Sequence, residues 1–401
     1  MSALMSSYGR LPVAIERGEG VWVWDTDGKR YMDALGGIAV CALGHAHPGV
    51  TAAISRQAGT LLHCSNLYHI PIQEELGAVL CDISGMDKVF FCNSGAEANE
   101  ACIKIARLHG NRKFAQSGGA GASVVAMQDS FHGRTMATLT ATGNRKIHAG
   151  FEPLVPGFTR APFSDLDALH RIASGTTPVS AVMLEPIQGE GGIRTADQGY
   201  LRGVRELCDE HGWLMMVDEV QTGIGRTGRW FAHQHEDILP DVMAVAKALG
   251  NGVPIGACLA RGDAAELIQP GSHGTTFGGN PLSCSAGLAV IEEIRSRDLL
   301  KRAAELGDRI KDGMRTLLGE RSGVVSIRGQ GLMLGIELDR DCGDLVKQAL
   351  DAGFLINVTA GRVVRMLPPY ILTDAEADQL IEGVGGLIAS FLDQATENPG
   401  T

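Results

Sequence analysis

The chain has 401 residues, 44% of them hydrophobic and 20% charged, with 53 glycines and a formal charge of −11. That length exceeds one simple core and implies two domains. The acidic balance argues against a nucleic-acid partner, because phosphate binding needs a basic face. No apolar run approaches the ~20 residues of a membrane span, and Met1 to Ser7 lacks the basic start and apolar core of a signal peptide. The nine cysteines have neither zinc spacing nor the spacing of a disulfide framework. They read as reduced thiols of a cytoplasmic enzyme. The twelve histidines show no metal spacing either, and His45-Ala-His47 suits a loop.

In chain order, Val21–Trp24 and Arg30–Asp33 flank Asp25-Thr-Asp-Gly28 and read as a β-hairpin. Residues 49–61 and 72–84 read as helices. Residues 89–93 form a short buried strand, followed by a helical pattern with Ala101, Ile105 and Leu108 on one face. Ser94 fits an N-cap, with Glu97 completing a capping box. The same small residues at a helix N-terminus also suit phosphate binding, and the two readings are compatible.

Strands follow at 123–127, 181–186, 213–217, 242–246 and 254–260, with a helix at 200–211. Strands alternating with helices over 89–260 indicate a mostly parallel sheet. The stretch 282–318 reads as helical. Beyond 323 a smaller α+β unit is expected, with strands near 324–328, 332–338 and 363–367 and helices near 343–352 and 374–393. The expected organisation is an N-terminal segment 1–50 that joins the small domain or a dimer interface, a large α/β domain 51–287, and a small α+β domain 288–401.

Polar residues stand at the ends of several of these apolar strands, where α/β folds bind ligands. Lys247 follows the run Val242–Ala246, and Asp218-Glu-Val-Gln221 follows another. A lone lysine there is most simply a solvated charge. If Lys247 instead forms a Schiff base with an aldehyde cofactor, the chemistry makes further demands. A pyridine nitrogen needs a buried carboxylate, for which Asp218 is placed. Gln221 could bond the ring hydroxyl. The 94–96 turn offers donors to a phosphate. Phe131 and Val220 could cover the two ring faces, although Phe131 could equally be a core aromatic and Arg134 a surface charge. Glu185, at the end of an apolar run, needs a partner.

These stretches carry a resemblance. Asn93-Ser-Gly-Ala-Glu-Ala-Asn99, Ser130-Phe-His-Gly-Arg-Thr135, Glu185-Pro-Ile-Gln-Gly-Glu190, Asp218 to Gly228, the Lys247 stretch and His273-Gly-Thr-Thr-Phe-Gly-Gly-Asn280 occur in order over almost the whole chain. As a set they resemble the class III aminotransferases among the fold-type I pyridoxal-phosphate enzymes. The resemblance implies a large, mostly parallel α/β domain with a smaller α+β domain, and pyridoxal 5'-phosphate as cofactor. It makes Lys247 the Schiff-base lysine and proton shuttle, Asp218 the partner of the ring nitrogen and Gln221 that of the ring oxygen. Phe131 and Val220 would sandwich the ring, Ser94, Gly95 and Ala96 would cradle the phosphate, and Glu185 would belong to the cofactor site. Thr276 would reach the phosphate of a neighbouring subunit, which implies a homodimer with shared sites.

Within the family the chain is most similar to the branch that moves the δ-amino group of N2-acetyl-L-ornithine to 2-oxoglutarate, giving N-acetyl-L-glutamate 5-semialdehyde and L-glutamate, in arginine biosynthesis. The stretch Gly37 to His45 carries that similarity. Enzymes of the family that act on free ornithine have a tyrosine where this chain has Ile38, and losing that phenol suits a donor whose α-amine is acylated. The resemblance assigns Arg134 to the carboxylate distal to the reacting end and Arg365 to the α-carboxylate of glutamate or 2-oxoglutarate, with Glu190 masking Arg365 when the ω-amine is present. Arg365 and Glu190 could equally form a structural ion pair. Tyr8 and Thr275 are further candidates for substrate contact. The alternatives are ornithine, succinylornithine, succinyldiaminopimelate or 4-aminobutyrate as donor, a racemase or aminomutase, and a non-catalytic binding protein.

Overall fold

The computed structural model describes residues 3–115, 122–319 and 321–397; the outermost limits of the expected segments, 1 and 401, lie outside them. At its centre is a seven-stranded sheet. Its order is Lys88–Cys92, Gly256–Ala260, Val242–Val245, Leu214–Asp218, Val179–Leu184, Ser123–Met127 and Phe158–Ala161. Leu214–Asp218 runs parallel to both its neighbours, as does Ser123–Met127. Gly256–Ala260 is antiparallel to Val242–Val245 and to Lys88–Cys92. The sheet is therefore mostly parallel with one reversed strand, and the apolar run 254–260 carried no sign of that reversal.

The central strands are buried at every position, because helices cover both faces. Alternation within one strand shows it. Leu214 and Met216 face the helix Gly95–Lys113, with its Ala98, Ala101 and Ile105. Met215 and Val217 face the helix Tyr200–His211, with its Leu201 and Val204. Burying each such side chain stabilises the fold by ~1.5–3 kcal/mol. Leu108, expected on the inward face of Gly95–Lys113, is only half-buried.

The stretch 282–318 is two helices rather than one. Pro281–Ser296 packs on the helix Pro48–Ala58, and Leu299–Leu318 packs on Asp374–Glu397 and on the strand Val324–Gln330. The break is at Asp298, whose φ is +50°. There the chain changes partner, and no straight helix could bury both Ile294 and Leu299, Ala303 and Leu306 against those two surfaces.

The C-terminal part has an antiparallel sheet in the order Val324–Gln330, Met333–Leu338, Val363–Met366 and Asn357–Thr359. Two short strands of this part were not anticipated, Asn357–Thr359 and Phe354–Leu355, the latter pairing in parallel with Met32 and Asp33; nor was Phe158–Ala161 at the edge of the central sheet. The N-terminal hairpin, Trp22–Asp25 with Arg30–Asp33, thus shares a sheet with a strand near the other end of the chain. No helix among the described residues is long and apolar enough to cross a membrane, and no group of His, Cys, Asp and Glu among them could hold a metal ion. All nine cysteines are free thiols.

Candidate active site

The carboxyl ends of the parallel strands open onto one cavity of about 400 Å³. Asp218 ends its strand there and is buried. Its Oδ2 accepts hydrogen bonds from Asn99 Nδ2 and His132 Nδ1, each at 2.7 Å, and its Oδ1 accepts the Val220 N–H at 3.0 Å. The bond at Nδ1 leaves the other ring nitrogen of His132 buried with no partner among the described residues, as is Asn99 Oδ1. Asn99 and His132 lie inside the stretches Asn93–Asn99 and Ser130–Thr135, where the sequence pattern alone assigns them no role. The signal for Asn99 was a polar residue on an inward helical face otherwise made of Ala98, Ala101 and Cys102. Such a group is buried only against a partner.

Lys247 follows Val242–Val245 with a φ of +45°. A left-handed backbone on a residue with a long side chain costs of order 1–3 kcal/mol and persists only where its surroundings enforce it. Here the Gly250 N–H bonds the Lys247 carbonyl at 3.1 Å. Asn251, also at φ +45°, bonds the Leu43 N–H and the Gly44 carbonyl at 2.8 and 3.0 Å. Lys247 is half-buried as a residue, makes no ion pair among the described residues and lines the cavity. Burial lowers its pKa from 10.5 to about 8, against the attraction of Glu190.

The 94–96 turn lines the same cavity. Ser94 caps the helix Gly95–Lys113, its hydroxyl accepting the Glu97 N–H at 3.2 Å. The Glu97 carboxylate returns to the N–H of Asn93 rather than to that of Ser94, so the capping box is displaced by one residue. A Cβ on Gly95 would stand 2.6 Å from Val220 Cγ1, so only glycine allows that approach. Phe131 and Val220 both line the cavity. Glu185 is buried and accepts the N–H groups of Phe131 and Gly189 at 2.9 and 3.0 Å, so its partners are backbone donors. Burial pushes its pKa up to about 7.

Arg365 is fully buried. Its Nη1 donates to Glu190 Oε1 at 2.6 Å and to Gln221 Oε1 at 3.3 Å, its Nε donates to Asn357 Oδ1 at 3.0 Å, and its Nη2 has no partner among the described residues. Burial works to raise the pKa of Glu190, but Arg365 beside it outweighs this and the net shift is downward. Arg134 is exposed, with its guanidinium carbon 5.6 Å from the Phe131 ring centre. Phe131, Arg134 and Glu190 also line an adjoining cleft of about 950 Å³.

One chain therefore brings together Ser94, Gly95, Ala96, Phe131, Arg134, Glu185, Asp218, Val220, Gln221 and Lys247 around the cavity. Glu190 and Arg365 meet Gln221 at its edge. Three expected residues stand apart. Tyr8 is 76% exposed and reaches none of these groups. Thr276 is exposed on a separate hollow that includes Glu97 and Lys104. Ile38, at φ +66°, packs towards Ile187, Ile193, Met333 and Leu367, and Val40 takes the cavity wall instead. Thr275 is half-buried and accepts a bond from Asn93 Nδ2 at 3.3 Å.

The model of the family described as aminotransferase class-III matches residues 4–387. The chain is 54% identical over 393 residues to acetylornithine aminotransferase 1 of Bordetella bronchiseptica, covering 98% of this chain and 99% of that protein. Its structure is similar to that of N-acetylornithine aminotransferase from Stenotrophomonas maltophilia, at 36% identity and a TM-score of 0.83, covering 97% of this chain and 99% of that one. It also resembles an ornithine aminotransferase from Toxoplasma gondii with partial occupancy of pyridoxal phosphate at its active site. There the identity is 33% and the TM-score 0.94, over 99% of this chain and 93% of that one.

Proposed function

The chain belongs to the class-III aminotransferases, and from that premise we propose that it moves the δ-amino group of N2-acetyl-L-ornithine to 2-oxoglutarate, with pyridoxal phosphate as cofactor. The observation that carries the two-substrate reading is Arg365. A fully buried guanidinium, masked on one nitrogen by Glu190 and without a partner among the described residues on another, suits a pocket that meets a carboxylate in only one half of its cycle.

The residues present fit the cofactor. Asp218 offers a carboxylate already oriented by two donors, and the buried His132 Nε2 has no partner among the described residues. The Gly95 turn is a cradle that a Cβ would fill. When bound, pyridoxal phosphate supplies an aldehyde for an amine and a ring that withdraws electrons from the carbon beside the nitrogen. In this reading Asp218 holds the ring nitrogen protonated, with Asn99 and His132 as its positioning residues. The N–H groups of Ser94, Gly95 and Ala96, at the positive end of a helix, hold the phosphate. Phe131 and Val220 cover the ring, Gln221 bonds its oxygen, and Glu185 fixes the backbone of Phe131.

Lys247 would be the residue that holds the cofactor, and its Nζ, once free, would be the base positioned to move a proton at the donor's δ-carbon. An amine titrating near 8 is matched to that exchange near neutral pH. Arg134 receives the donor's α-carboxylate at the mouth of the cleft, where the acyl group has room. Glu190 covers Arg365 during that half-reaction and turns away for 2-oxoglutarate. Thr276 serves the site of a second copy in a homodimer; its exposed position beside Phe277, itself 60% exposed, supports this reading.

Free ornithine is the second reading, favoured by the close structural likeness to an ornithine aminotransferase. Fold alone does not choose between donors, and the 54% identity with an acetylornithine enzyme places the acylated donor first. The test is to mix the yellow holoenzyme with N-acetylornithine alone. The visible band is expected to fade and to return on adding 2-oxoglutarate. A kcat/KM markedly higher for ornithine overturns the choice of donor.

A further inference from the structure

The Arg365 side of the site contains a polar residue, Asn357, with no assigned task. Asn357 lies in the strand Asn357–Thr359, directly opposite Arg365 in Val363–Met366; the two are paired in antiparallel register. Its Oδ1 accepts the Arg365 Nε–H at 3.0 Å. The guanidinium is thus held on two edges by different kinds of acceptor. Asn357 is neutral and stands on a sheet. Glu190 is charged, stands on a loop, and has a side chain 36% exposed.

The same strand also holds the other half of the pair. Two residues on, and therefore on the same face of the strand, the Thr359 hydroxyl donates to the main-chain carbonyl of Glu190. Asn357–Thr359 fixes the plane of Arg365 and the backbone of Glu190 together. What it leaves free is the Glu190 side chain. A guanidinium held only at Nη1, by Glu190 and by the longer bond to Gln221, could swing with that carboxylate or turn to nearby carbonyls, since its fork is directional and its stem flexible. With Nε pinned, Nη1 and the unpartnered Nη2 keep their aim when Glu190 leaves.

We propose that Asn357 is a specificity-determining positioning residue, which holds Arg365 in the orientation that receives a substrate carboxylate once Glu190 has turned away. Being neutral, it does so without cancelling the charge that the carboxylate must meet. The inference rests on the reading that Arg365 receives the dicarboxylate substrate.

The test uses Asn357→Asp and Asn357→Ala in the holoenzyme. N357D keeps an acceptor at Nε but sets a permanent second carboxylate beside the guanidinium; N357A removes the pin. The first readout is calorimetric binding of glutarate, a five-carbon dicarboxylate with no group to transfer. The second is kcat/KM for each half-reaction, followed by cofactor absorbance with glutamate or with N-acetylornithine alone. In N357D glutarate binding and the glutamate half-reaction are expected to weaken at least tenfold, while the N-acetylornithine half-reaction falls less than threefold. In N357A the same selective pattern is expected at roughly three- to tenfold, so the test survives if one variant folds poorly. Equal losses in both half-reactions, or unchanged glutarate binding, overturn the inference alone. A wild-type enzyme that neither binds glutarate nor reacts with glutamate overturns the functional reading and the inference with it.

Discussion

Replacing Lys247 by Met in the cofactor-free protein is expected to make it more stable. A fall of the amine's pKa from 10.5 to about 8 means that the fold disfavours the charged form. At ~1.4 kcal/mol per pH unit this amounts to roughly 3–4 kcal/mol, and to about 2 kcal/mol once the face open to the cavity is allowed for. The sign follows from linkage. Below pH 8 the lysine is charged both folded and unfolded, and the folded state carries the whole cost. Between 8 and 10.5 the folded lysine loses its proton first and the cost shrinks. Above 10.5 both forms are neutral and the cost is gone. Methionine has a similar length, fills the same space and carries no charge. With an unfolding entropy near ~0.8 kcal/mol/K for 401 residues, about 2 kcal/mol corresponds to a Tm roughly 2–3 °C higher at pH 7. The assay is thermal unfolding of both cofactor-free proteins at pH 6.5, 8, 9 and 10.5. A variant no more stable than wild type at pH 6.5, or a gap that stays constant across the series, would refute the reasoning.

Other substitutions probe the rest of the site. Glu190→Ala unmasks Arg365, so kcat/KM for the glutamate half-reaction is expected to rise about tenfold while that for N-acetylornithine falls; parallel changes in both would contradict the masking role. Arg134→Ala removes a charge-assisted contact of ~1.5–3 kcal/mol. The acetylornithine half-reaction is then expected to slow roughly 10- to 100-fold, with little change for N-acetylputrescine, which lacks the carboxylate. Gly95→Ala drives a Cβ against Val220, and overpacking of this kind costs ~1–3 kcal/mol. Titration with pyridoxal phosphate is expected to show at least tenfold weaker binding, and unchanged affinity would mean that the turn has slack.

The strands were readable because a strand buried on both faces is a continuous apolar run, as in Val242–Val245 and Leu214–Val217, and the polar residue ending such a run stands at the rim of the sheet. That is why Asp218 and Lys247 could be set together from sequence. What could not be read depends on geometry that a run of residues does not encode. An apolar run is the same in either direction, so the reversal of Gly256–Ala260 was hidden. Ser296-Arg-Asp298 contains no glycine or proline to announce a break. Asn99 and His132 meet Asp218 from 119 and 86 residues away. Ile38 turns from the cavity because Gly37, Ile38 and Ala39 are all left-handed, a conformation that sequence suggests only for the glycine.

The pairing of Phe354–Leu355 with Arg30–Asp33 also bears on how the protein is made. More than three hundred residues separate Asp33 from Leu355. At translation rates of roughly 5–20 residues per second, the hairpin leaves the ribosome about a quarter of a minute to a minute before its outer strand exists. Throughout that time Arg30–Asp33 is an open edge, ready to pair with any extended chain nearby. The nascent chain thus carries this open edge through most of its synthesis, and only the appearance of Phe354–Leu355 closes it.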